Sequence, residues 1–544
     1  MARTPASLRV SIPVRGAILR PARIHGNSCQ RKKTILPMIS SAMPIGTGYD
    51  ARADDSRTTG ELPVNQLLIQ ARTAQAKWAL VPTEKRIYLV RRFRELLAEC
   101  APALCKMTSR MQNRPECEIL TSEIFPLIAA CKFLERKAVS ILAPQRLGKS
   151  GLPLWLHGVA SEIHRDPFGV VLIIGPANYS LSLPGIQLLQ ALVSGNAVLL
   201  KPGLDGTSSA CSLLGLFDAA GLSSGLATLL PESIEAAQTA ISAGVDRVLF
   251  TGSAKVGAKI LAELAPQLVP ATMELSGCDA LLVRVDGDLE LVKRSLQFSL
   301  NLNSGATCIA PHRIFVAESK AAELENLLAV HFRGQPHWRL TASVANRVRP
   351  ALQDALARGA HIICGAIEED ESIVAPIILG GVSPDCRLFR TDIFAPLIGT
   401  LRVKDDEEAV RRINDCPYAL GASIFSANEA IARDISTRLR VGFITINDVI
   451  VPAADPRVPI GGRGRSGFGS TRGREGLLDL TFPKVVTVRR GRFRPHLDGN
   501  AEKNSELLYA YLKLAYAGRL RSRWNALSTL TQRLLKGNSF LRRP

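Results

Sequence analysis

Cys308 is the residue most able to do chemistry. It lies in Asn303-Ser304-Gly305-Ala306-Thr307-Cys308-Ile309-Ala310-Pro311, a run of small residues that lets backbone and substrate approach closely. Glu274 sits about thirty residues earlier, in Met273-Glu274-Leu275-Ser276-Gly277. A thiol nucleophile and a carboxylate base are the pair that covalent catalysis on a carbonyl requires. Each has a plain reading too. A lone cysteine is usually a small buried hydrophobe, and a lone glutamate a solvated helix residue.

Three further positions bear on the same chemistry. Asn178, in Gly175-Pro176-Ala177-Asn178-Tyr179, offers a side-chain amide that can hold a developing oxyanion, or simply a turn residue. Gly252-Ser253-Ala254-Lys255-Val256-Gly257 follows an expected strand and opens an expected helix. That setting suits a diphosphate at a helix N-terminus, although the spacing is not G-x-G-x-x-G and an ordinary strand–turn–helix glycine reads equally well. Lys201 ends another expected strand, where it can bond a ribose hydroxyl or lie on the surface.

The elements that must position these residues alternate. Segments 64–79, 83–100 and 118–142 carry apolar residues at helical spacing. Residues 153–166 read as an exposed strand pair. Gly169-Val170-Val171-Leu172-Ile173-Ile174-Gly175, a helix over 184–194 and Ala197-Val198-Leu199-Leu200-Lys201 form the strand–helix–strand unit of a parallel sheet. Helices over 207–220 and 233–243 and strands near 227–230 and 246–252 continue it. Repeated alternation predicts a doubly wound α/β sheet with ligands at the carboxyl ends of its strands. A second α/β pattern runs from about 280 to 457, then a glycine-rich loop over 461–469 and a closing strand over 480–490.

Charge is concentrated at the ends. Residues 1–49 hold eight basic residues and no acid, and residues 489–544 have a net charge of +10, out of +20 for the chain. The body is therefore nearly neutral, and no nucleic-acid motif accompanies the basic residues. The N-terminal stretch reads as an unstructured extension, which a start codon placed too early would explain with Met38 and Met43 as alternatives, or as a mitochondrial-type presequence; Pro13, Pro21 and Pro37 favour the former. Leu520, Trp524, Leu527, Leu530 and Leu534 fall on one face of a basic C-terminal helix suited to docking on protein or to an anionic membrane. The eleven cysteines include no C-x-x-C pair, which points to free thiols in a reducing, cytoplasmic setting without a metal site.

Taken in order, these motifs resemble the aldehyde dehydrogenase superfamily over residues 62–490. Leu200-Lys201-Pro202, Asp392-Ile393-Phe394-Ala395-Pro396, residues 414–422 and Pro459-Ile460-Gly461-Gly462 add to the match. The resemblance implies a Rossmann-like cofactor domain (56–149 and 167–275) and an α/β catalytic domain (276–458). It also implies a β-strand oligomerisation extension with a bridging loop (150–166 and 459–494), between a basic N-terminal extension (1–55) and a helical tail (495–544). It implies a homodimer or homotetramer that oxidises a small-molecule aldehyde to an acid with NAD or NADP. Cys308 would be the nucleophile, Glu274 the base and Asn178 the oxyanion donor. Lys201, Gly252, Ser253, Gly257, Gly277, Asp392 and Phe394 would hold the cofactor. Alternatives are a CoA-acylating semialdehyde dehydrogenase and a non-catalytic scaffold.

Several positions depart from the family pattern. Leu204, with Asp205 beside it, replaces the acid usually found three residues after the lysine, which leaves NADP open. Asp392 replaces a glutamate, Ser276 a glycine, Ala177 an aromatic residue and Ile460 a phenylalanine.

Overall fold

The computed structural model describes residues 63–153, 156, 158–490, 497 and 505–536. The acid-free N-terminal extension lies outside them. The described chain separates into two compact units, one of residues 63–142 and 166–482, the other of residues 143–165 and 483 onward.

The larger unit is built on two sheets. The first holds β1 (Val170–Ile174), β2 (Ala197–Lys201), β3 (Ala227–Leu229), β4 (Arg247–Gly252) and β5 (Ala271–Leu275). Their order is β5-β4-β1-β2-β3, all parallel, with Gly467–Phe468 added antiparallel to β5. Every side chain of β1 is buried, as expected of a parallel strand covered on both faces. From β1 the chain winds outward in one direction through β2 and β3 and in the other through β4 and β5. The crevice at the carboxyl ends of β1 and β4 is therefore a topological switch point, where doubly wound sheets bind ligands.

The second sheet holds β6 (Asp279–Val283), β7 (Pro311–Ala317), β8 (Ile373–Gly380), β9 (Leu397–Val403), β10 (Gly421–Phe425) and β11 (Phe443–Ile446), in the order β8-β9-β7-β6-β10-β11. Residues Trp338–Arg339 and His361–Ile367 pair antiparallel with β8. Alternation along β6 shows how both faces are filled. Ala280 and Leu282 enter one apolar core, and Leu281 and Val283 enter the other.

Helices follow their local signals. Helix Ala254–Leu264 is capped by Ser253, whose hydroxyl accepts from Val256 N. The segment read as a helix over 118–142 is helical from Glu116, with a π-turn at Leu120–Ile124. That turn rotates Glu123 into the core, where it accepts from Leu181 N (2.7 Å) and Ser182 N (3.1 Å) at the start of helix Ser182–Val193.

Of the segment 153–166 read as a strand pair, residues 154, 155 and 157 lie outside the described residues, and the rest carries a single strand. One strand, Val159–Pro167, pairs antiparallel with Gln145–Leu147 and lies beside Thr481–Arg489 in a three-stranded sheet. The tail forms helices Ser505–Tyr516 and Leu520–Lys536, and Arg523 donates to the Leu514 carbonyl at the end of the first (3.0 Å). Ala510 and Ala526 are buried, whereas Leu508, Tyr509, Leu512, Tyr516, Leu520, Trp524 and Leu527 are exposed. The Leu534 side chain lies outside the described residues. No described helix is long and apolar enough to cross a membrane.

Candidate active site

The strand ends deliver the residues that the sequence singled out. Asn178 follows β1, Lys201 ends β2, Gly252 ends β4 with Ser253 just after it, and Glu274 lies in β5. All of them, together with Cys308 and Phe394, line one cleft of about 720 Å³. Gly257 and Gly277 stand behind its wall. A Cβ at Gly277 would lie 2.6 Å from the Cys308 carbonyl oxygen, so the glycine lets the chain between β5 and β6 pass close against the cysteine segment.

That segment is held in an unusual path. Asn303, Ser304 and Gly305 are all left-handed, with φ of 50°, 49° and 73°. Non-glycine residues pay about 1 kcal/mol or more each for this conformation. The loop is tied to the turn after β1 by several bonds. Asn303 Nδ2 donates to the Asn178 carbonyl (3.0 Å), Asn178 Nδ2 donates to the Ala306 carbonyl (2.9 Å), and the Tyr179 and Thr307 hydroxyls share a 2.5 Å bond. One N–H of the Asn178 amide is thereby engaged, and its geometry leaves the other for a ligand.

The electrostatics suit a nucleophile that must be switched on. Burial, reinforced by the charges of Glu274 and Asp279, pushes the Cys308 thiol up to about 12, so at rest it is protonated. Burial also raises Glu274 above the ordinary glutamate range, against the opposing pull of Arg472 and a bond from Thr471 Oγ1 to Glu274 Oε2 (3.1 Å). Thr471 and Arg472 escape sequence reasoning because they lie 197 residues and more from Glu274. Arg114, in the turn after helix Thr83–Gln112, and Glu118 and Glu123, on the helix that follows it, reach the same region and were equally silent.

The cofactor positions separate. Lys201 is partly buried, which lowers its pKa, and the carboxylate of Glu232 opposes that shift. Glu232 accepts from Asp205 N and from the Thr207 hydroxyl, each at 2.8 Å. An acid therefore stands near Lys201, although it comes from a different loop than the vacant position at Leu204. The N-terminus of helix Ala254–Leu264 faces the cleft, with Gly252, Ser253 and Val256 in its wall, and fits a diphosphate. Asp392 is not in the wall. Its carboxylate accepts from Ser276 Oγ (2.5 Å) and from Tyr418 (3.1 Å), so two departures from the family pattern, Ser276 and Asp392, satisfy each other. No group of acids, histidines and cysteines among the described residues could hold a metal.

With this geometry in place, residues 56–486 match the pattern of the aldehyde dehydrogenase family. The chain belongs to that family. It is 29% identical over 453 residues to the 4,4'-diapolycopene aldehyde oxidase of Methylomonas sp, covering 80% of this chain and 85% of the relative. It is 28% identical to a Mycobacterium bovis protein provisionally named as the NADP(+)-dependent succinate-semialdehyde dehydrogenase 2, covering 83% and 86%. The crystal structure of a Mycobacterium tuberculosis aldehyde dehydrogenase complexed with NAD+ superposes with a TM-score of 0.72 at 25% identity, covering 79% of this chain and 91% of that one. The protein is an NAD(P)-dependent enzyme that oxidises an aldehyde, and its α/β fold is that of the family.

Proposed function

We propose that Cys308, Glu274 and Asn178 carry this oxidation, on the observation that all three meet in one cleft with Ser253, Lys201 and Phe394. Cys308 releases its proton to solvent and attacks the aldehyde carbon as a thiolate. The carbonyl oxygen becomes an oxyanion held by the second Asn178 N–H and the Cys308 backbone N–H, donors of a kind worth about 3 kcal/mol each. NAD(P), when bound, would supply the hydride acceptor and a positive ring charge that favours the thiolate. Lys201, Ser253 and the helix N-terminus at Ala254 would hold its ribose and diphosphate, and Phe394 its ring. Loss of hydride leaves a thioester on Cys308. Glu274, poised by Thr471, takes a proton from water; the hydroxide adds to the thioester carbon, the C–S bond breaks to release the acid, and the departing thiolate takes the proton back from Glu274. The presence of this buried base supports hydrolysis over transfer to CoA.

The test is NAD(P)H formation from a panel of aldehydes by the wild type and by Cys308→Ala. Turnover should vanish in the variant while cofactor binding persists, and undiminished turnover would overturn the assignment.

The assembly proposed is a homodimer or homotetramer joined through the three-stranded sheet, in which Val485, Val486 and Val488 are exposed. Light scattering should give two or four chains per particle, and a monomer would sink this reading. The proposed location is the cytoplasm, where the ten described cysteines, all free, stay reduced. The exposed apolar residues of the tail and its excess of arginine and lysine support peripheral attachment to an anionic surface. Deleting residues 495–544 should leave kcat intact and abolish sedimentation with phosphatidylglycerol vesicles. A folded but inactive truncation, or unchanged sedimentation, would refute the attachment.

A further inference from the structure

Arg114 stands at the meeting point of the two halves of the oxyanion site. Its guanidinium is buried, and all three of its nitrogens donate. Nε donates to Glu118 Oε1 (2.7 Å), Nη2 to Ser122 Oγ (2.8 Å), and Nη1 to Gln112 Oε1 (2.8 Å), Glu123 Oε1 (3.2 Å) and the Asn178 carbonyl (3.3 Å). The guanidinium carbon also lies 5.1 Å from the Tyr179 ring centre. Arg114 therefore grips the turn that carries Asn178.

The same group reaches the cysteine segment through Glu118. The Glu118 oxygen that Arg114 engages also accepts from Asn303 N (2.9 Å). Asn303 is the first of the three left-handed residues that shape the approach to Cys308. A carboxylate on that N–H opposes the backbone cost and fixes where the loop begins. Glu123, fully buried on the π-turn, anchors the other side of Arg114 and the start of helix Ser182–Val193. One arginine fork thus bridges the Asn178 turn and the Cys308 loop.

We propose that Arg114, with Glu118 and Glu123, is a positioning unit that sets the distance between the Asn178 amide and the Cys308 backbone N–H, so that both donors meet the same oxyanion. The residues touch neither substrate nor cofactor. The unit rests on the roles proposed above for Cys308 and Asn178. Arginine suits the task because its planar fork binds several acceptors at fixed angles, which a lysine cannot do. A shift of the order of 1 Å in such a pair costs about a hundredfold in rate.

The experiment uses acylation of Cys308 by 4-nitrophenyl acetate in the full chain. This step forms the same oxyanion but needs no hydride transfer: the thiolate displaces 4-nitrophenolate, which is read by absorbance, and the acetyl group is located by mass spectrometry. Arg114→Met should slow acylation at saturating ester by about a hundredfold, and Glu118→Gln by about tenfold. Arg114→Lys should recover only part of the loss. Affinities for the ester and for NAD should stay at the wild-type level, since the unit lies behind the site. Should Arg114→Met fail to fold, Glu118→Gln, an isosteric change at a partly exposed position, decides alone. Wild-type acylation rates in folded variants, or a loss expressed in affinity rather than rate, would overturn the unit. Failure of the wild type itself to acylate at residue 308 would instead overturn the role proposed for Cys308.

Discussion

Replacing Glu274 by glutamine tests the proposed chemistry most directly. The amide is isosteric, and its oxygen can still accept the Thr471 hydroxyl bond that the carboxylate now accepts at 3.1 Å. What is lost is the ability to take a proton from water. A positioned general base contributes about 10²- to 10⁴-fold, or roughly 3–5 kcal/mol, so breakdown of the thioester should slow by that factor. Acylation needs no proton at residue 274, so the first turnover should survive. Rapid-mixing absorbance should show a burst of one NAD(P)H per active site followed by a slow steady state, and intact-mass measurement should find the acyl adduct on Cys308. The pH dependence has a definite sign. Burial raises Glu274, so its basic form gathers only above the ordinary glutamate range, and wild-type thioester breakdown climbs as pH rises through that raised value. The variant should lose this limb. Stability runs the opposite way. The neutral carboxyl favours the folded state fully below the unfolded glutamate value, and that contribution fades as pH rises through the folded one. At neutral pH the glutamine variant should therefore unfold at a temperature no lower than the wild type. A steady-state rate equal to wild type, with neither burst nor adduct, would refute the role of Glu274 as base.

Other outcomes follow from single contacts. Thr471→Val removes a hydrogen bond to the ionised form of Glu274, and such bonds are worth roughly 1.5–3 kcal/mol, so the rising limb of the pH–rate profile should move up by about one to two units; an unmoved limb would refute the assignment. Glu232→Gln takes a negative charge from beside Lys201 and should raise affinity for NADP relative to NAD by about fivefold, measured by nucleotide fluorescence, whereas an unchanged ratio would place the 2'-phosphate elsewhere. Gly277→Ala places a methyl group 2.6 Å from the Cys308 carbonyl and should destabilise the fold by about 1–3 kcal/mol in denaturant titration; an unaltered midpoint would mean that the loop has room to move.

The sequence by itself determined which atoms could react and the elements that carry them. The continuous apolar run of β1, the Ser253 cap and the small residues around Cys308 are local signals, set by burial on both faces, by unpaired helix N–H groups and by close backbone approach. Several residues could not be weighed that way. Thr471 and Arg472 act on Glu274 from far along the chain, and nothing nearby marks them. Asp392 shows the reverse: its motif reads as a cofactor contact, yet Ser276 and Tyr418 occupy its carboxylate. Arg114 looks like an ordinary connecting-segment charge, and Glu118 like one of a surface helix. Only packing makes them a buried fork between the Asn178 turn and the Cys308 loop, because a hydrogen bond depends on where two groups end up in space, and their separation along the chain carries no record of it.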